Sequence, residues 1–174
     1  MKPSDRRLKV YITLCVTAYI LGLLTWEYYH GGIESHHLLH RSDLPAISNG
    51  WGAIFLPILT WLILSIIHRY ETSRYSITVI AGFMGALLYG VVFSIAFVSG
   101  MTELTSVLLP MLMVTGLFLP LYRAEYLLGL VLAMSSTFGV LLSLGFGLFV
   151  MLISFVLYRY VRPVPYYLIG LIKK

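Results

Sequence analysis

Charge is what this chain has least of. Lys, Arg, Asp and Glu make up 11% of its 174 residues, where a soluble domain carries about 25%. Acidic residues are the scarcer sign, seven against twelve basic. Cysteine occurs once, as Cys15, so no internal disulfide forms and the fold needs no oxidising compartment. There is no HExxH motif, no repeat of useful length, no low-complexity segment and no methionine ladder of the kind a copper path requires. No Asp, Glu, Lys, Arg or His falls near the middle of an expected helix. Charges in such places mark proton relays, ion paths and voltage sensors, so their absence argues against a proton-coupled pump or a voltage sensor.

Apolar residues fill the space instead. They are 59% of the chain, and the mean hydropathy is +0.90. Several runs reach the roughly 17–25 residues that cross a bilayer. The expected class is an all-α integral membrane protein, a single polytopic domain over residues 1–174. The pI of 9.4 and net charge of +5 do not point to nucleic acid, because the basic residues sit between apolar runs rather than on one face.

The first helix is expected over residues 10–26, uncleaved, because no small-x-small site follows its basic start. The second is expected over 51–67, the third over 77–98 and the fourth over 104–121, where Pro110 is a kink site. The last run, 126–158, has 33 residues. One helix of that length is about 50 Å long at about 1.5 Å per residue, against a hydrocarbon core of about 30 Å. A turn near residues 138–142 would make two helices of it. Lys and Arg collect on the cytoplasmic side. With the N-terminus inside, six helices place eleven basic residues inside and one outside; five helices give seven against five. Six transmembrane helices with both ends cytoplasmic is the expectation. Five is the alternative, since Ser135, Gly139, Ser143 and Gly147 would form one small face on an unbroken helix. The setting is a bacterial inner membrane, with the tail over 163–174 lying on its inner surface.

The richest chemistry lies in the loop over residues 27–50, expected to face outward. It holds His30, His36, His37 and His40 together with Glu27, Glu34 and Asp43. Gly31-Gly32 signals a turn. Ser35 is read as the cap of a short interfacial helix over 36–42, which Pro45 stops from continuing. On that helix His36, His40 and Asp43 stand at i, i+4 and i+7, on nearly one face. Two imidazoles at i, i+4 hold a divalent ion well; the expected cofactor is such an ion, zinc first. His36, His40, Asp43 and His30 are the candidate ligands, with Glu27, Glu34 or the remote Glu103 as further donors. Glu34 is the candidate general base and His37 a general acid/base or further ligand. Asp43 serves equally well as a turn cap, and Ser48 or Asn49 as the cap of the second helix.

Three function classes fit. One is a metal-dependent hydrolase acting on a lipid or other amphiphile; the shortage of partners in later helices, only Glu103 and Glu125, weighs against it. The second is a transport or substrate-binding subunit for a small solute or metal ion, its path lined by Thr60, Tyr89, Ser94, Thr115, Ser136 and Ser143. The third is an accessory or sensor subunit. Expected partners are membrane lipids and a small-molecule or lipid substrate. A homo-oligomer is a further expectation, through the Ala81–Gly85 and Gly82–Ala86 small-residue pairs of the third helix, although packing within the molecule explains those pairs as well.

Overall fold

Runs of Leu, Ile, Val and Phe with no charged side chain must satisfy their backbone hydrogen bonds internally when water is excluded, and here they do so as helices. The computed structural model describes residues 3–37, 46–70 and 76–164. Among these are α1 (Pro3–Tyr29), α2 (Gly52–Tyr70), α3 (Ile77–Val98), α4 (Thr102–Phe118), α5 (Ala124–Phe138) and α6 (Val140–Val156). A short antiparallel ladder joins β1 (Ser35–His37) to β2 (Ala46–Ser48). A 3-10 turn, Asn49–Trp51, leads into α2, and a π-helical turn, Leu157–Val161, extends α6. Four helical stretches are long and apolar enough to cross a membrane: Arg6–Tyr29, Asn49–Arg69, Ile77–Val98 and Val140–Val161. The α4 and α5 helices are apolar but shorter, at 17 and 15 residues.

Consecutive helices run in opposite directions. Glu27 of α1 meets Asn49, and Lys9 meets Ser65. Tyr89 Oη of α3 donates to the Leu108 carbonyl of α4 at 2.6 Å. Gly147 of α6 lies against Leu127 and Val131 of α5. One end of the bundle thus gathers the last turn of α1, the ladder, the start of α2, the turn at 99–101 and Gly139; we call it the hairpin end. The opposite, terminal end gathers the starts of α1, α3 and α5 and the close of α2 and α6.

The helix α5 is the axis. Ten of its residues are buried, and α2, α3 and α6 all pack on it. At about 22 Å it is shorter than a bilayer core, a mismatch that matters little to a helix walled by protein. The α3–α5 contact is parallel and close because glycines remove side chains from it. A Cβ added at Gly129 would stand 2.5 Å from the Phe83 carbonyl oxygen, and one at Gly90 would stand 2.6 Å from Ala133 Cβ. Gly82 and Ala86 are buried in this same seam, whereas Ala81 and Gly85 face outward. The Gly82–Ala86 pair is therefore used inside the molecule.

The chain breaks at Gly139. Its φ of 75° and ψ of 159° lie in a region essentially reserved for glycine. The unbroken helix over 126–158 does not form: Ser135 ends on α5, Ser143 and Gly147 on α6, and the four-residue spacing of small groups serves two helices folded on each other.

The interfacial helix expected over 36–42 is corrected at its start, residues 38–42 lying outside the described residues. Ser35, His36 and His37 are extended and pair with Ser48, Ile47 and Ala46 respectively, so no helix starts at His36 and Ser35 caps none. Spacing of i, i+4, i+7 says which side chains would share a face if a segment were helical, not that it is. Here closure of the loop at its base sets two backbones side by side, and a ladder follows. His40 and Asp43, like the tail from residue 165 onward, lie outside the described residues.

Candidate functional site

The hairpin end is built around one carboxylate. Glu27, in the last turn of α1, is only 8% exposed. Its Oε1 accepts from Asn49 Nδ2 at 2.8 Å, and its Oε2 accepts from the Glu34 backbone N–H at 3.2 Å. The Asn49 backbone N–H in turn donates to the Glu34 carbonyl at 2.9 Å. A negative charge at a helix C-terminus opposes the helix dipole. Two donors, and the nearby N-terminal turn that leads into α2, offset that cost. The chain reaches Glu34 by reversing at Gly31 and Gly32, whose φ values of 132° and 101° suit glycine alone. Gly32 N–H closes the turn on the Glu27 carbonyl at 3.0 Å.

From this base the loop rises as the β1–β2 pair, and the segment between the strands carries His40 and Asp43. His36 and His37 contribute their backbones to the ladder. Glu34 is exposed at its foot. His30 is exposed beside it, its ring stacked on Trp26 with centroids 3.6 Å apart. Its Nδ1 lies 2.9 Å from the Trp26 carbonyl. A carbonyl only accepts, so Nδ1 supplies the hydrogen of this bond, and in a neutral ring the lone pair would then fall on Nε2. Metal-ligating histidines are often oriented by such a carbonyl, as are many that bind no metal. Trp26, Tyr28, Tyr29 and Trp51 are exposed around the site, as aromatic rings are at a membrane–water boundary.

Among the described residues, no group of three or more His, Cys, Asp or Glu is placed to hold a metal ion. Glu27 is engaged with Asn49 and Glu34 rather than presented as a ligand. Glu103 is exposed in the first turn of α4, and Glu125 is at the terminal end. Ser48 caps the 3-10 turn before α2, its Oγ accepting from Gly50 N–H at 3.2 Å. That matches one of the two caps expected; Asn49, the other, holds Glu27 instead.

Two buried charges escape a reading by composition. Glu125, 1% exposed, opens α5, where the helix dipole favours a carboxylate, and pairs with Arg123 Nε at 2.8 Å. Lys9, 5% exposed, lies within α1, which begins about two turns earlier than its apolar run suggests. Three of the six hydroxyls of the expected solute path are used by their own helices, and Tyr89 donates to α4. Thr60, Thr115 and Ser143 each donate to the carbonyl four residues back. Ser94 Oγ is buried without a partner among the described residues. Comparison with protein-family models, with curated proteins and with solved structures finds no match for this chain.

Proposed function

We propose that this is a six-span membrane protein with both ends cytoplasmic, whose outward hairpin binds a divalent metal ion, zinc foremost. The distribution of charge supports the orientation. Arg6, Arg7, Lys9, Arg69, Arg123, Arg159 and Arg162 belong to the terminal end, and Glu27, Glu34 and Glu103 to the hairpin end, in line with the enrichment of Lys and Arg on the cytoplasmic side. The observation that carries the metal reading is the Glu27 clamp. It ties Glu34 and Asn49 to α1 and so holds the base of a loop containing His36, His37, His40 and Asp43, which lowers the ordering cost of ligation. His30, with Nε2 free to ligate in its neutral form, stands at the same base.

A divalent ion held with an open position supplies Lewis-acid activation of water at neutral pH. In this reading Glu34 is the base, His37 the acid or a further ligand, and the substrate is an amphiphile whose polar group reaches the aromatic rim. The test is metal analysis of protein purified without chelator. Stoichiometric zinc that is lost in His36→Ala/His40→Ala is the expected result. A wild-type protein that takes up no zinc, cobalt or copper at micromolar exposure would sink the proposal.

A further inference from the structure

The sequence places Lys9 at the edge of the first apolar run, where a lysine ordinarily extends to water. The structure turns it the other way, onto α2. Its ammonium donates to Ser65 Oγ and lies 3.7 Å from the centre of the Trp61 ring. Ser65 Oγ spends its own proton on the Trp61 carbonyl at 2.6 Å, so it is committed to accepting from Lys9. An ammonium has three N–H donors. One goes to Ser65 and one face to the indole, which leaves a donor over. No carboxylate among the described residues pairs with Lys9, Arg6 or Arg69.

The neighbours form a track. Trp61, Ser65 and Arg69 are spaced by four on α2 and share one face. Arg6 stands one turn from Lys9 on α1. Trp61 is 40% exposed and lies deeper along α2 than Arg69, which is exposed at its end. The seam between α1 and α2 thus grades from an exposed indole, through a covered ammonium and a hydroxyl, to exposed guanidinium groups. Three positive charges with no carboxylate partner among the described residues, beside an aromatic ring two turns further along α2 than Arg69, complement a ligand that is anionic at its head and apolar below.

We infer that the terminal end of the α1–α2 seam is a binding site for an anionic phospholipid. Its phosphate meets Arg6, Arg69 and the spare donor of Lys9, and its acyl chain lies along Trp61. The inference requires only that the bundle sits in a bilayer; it does not depend on the metal reading or on which face is cytoplasmic. The test is native mass spectrometry of the full chain released from nanodiscs of phosphatidylcholine with a minor fraction of phosphatidylglycerol. Phosphatidylglycerol is expected to be retained in preference to phosphatidylcholine. Retention should fall about fivefold for each charge removed in Lys9→Gln and Arg69→Gln, and should persist in Lys9→Arg. Arg69→Gln leaves the buried Lys9 contacts intact, so its loss of lipid separates binding from folding. Equal retention of both lipids would overturn the site, as would Lys9→Gln/Arg69→Gln binding like wild type. Displacement by inorganic phosphate at millimolar concentration would show a site for free anions and overturn the lipid assignment.

Discussion

Glu27 satisfies two donors at once, and its substitutions separate its charge from its geometry. In Glu27→Gln one oxygen still accepts from Asn49, but the amide nitrogen meets the Glu34 N–H donor to donor. In Glu27→Ala both donors are left inside a nearly closed site, and an unsatisfied buried donor costs about 1–3 kcal/mol. Thermal unfolding in detergent should therefore rank wild type above Gln and Gln above Ala. Limited proteolysis within the 27–49 loop should accelerate in the same order. Asn49→Asp sets two carboxylates against each other and is expected to resemble Glu27→Ala; an Asn49→Asp protein as stable as wild type would show that the clamp is not electrostatic. Acid residues in a histidine-rich loop read naturally as ligands. What cannot be read from the loop is that one of them is answered by Asn49, twenty-two positions away and an ordinary-looking cap. Lys9 escapes notice for the same reason, since its partners are on another helix.

The α3–α5 seam and the outer face of α3 make opposite forecasts at the level of elements. Gly129→Ala drives a methyl into the Phe83 carbonyl, which is backbone and does not yield. The α3–α5 seam must open, at a cost of about 1–3 kcal/mol. Gly85→Ala meets nothing within 4 Å and should gain up to about 1 kcal/mol from helix propensity. A melting curve for each decides whether the small residues serve this seam. If Gly85→Ala instead disrupts a cross-linked dimer, the outward pair has a partner. Gly139→Ala belongs with Gly129→Ala, at about 1–3 kcal/mol for a backbone region only glycine occupies comfortably. The α3 bounds at Ile77–Val98 are legible in the sequence because uninterrupted apolar length has one outcome in a membrane-like setting. The break in the last run is legible for a length reason too. The loop is not, because a stretch of three residues has no periodicity strong enough to choose strand over helix, and the ladder that chooses it is made by residues on both sides.

For the molecule as a whole, the six-span proposal predicts a labelling pattern. In a Cys15→Ser background, cysteines placed at Ser99 and Glu103 should react with an impermeant maleimide in intact cells. Cysteines at Ser76 and Arg162 should react only after permeabilisation. Reaction of Arg162→Cys from outside would restore a five-span arrangement despite the break at Gly139. The position of α5 also carries a consequence for how the protein is made. This helix follows α3 and α4 out of the ribosome, yet its walls are α2, α3 and α6. Until α6 is synthesised, the small residues that suit α5 to a protein niche leave it poorly matched to lipid. The last two helices should accordingly enter the membrane as a pair, and a chain truncated after Gly139 should be degraded rather than accumulate as a shorter, otherwise intact bundle. Pulse–chase labelling of that truncation measures the difference directly.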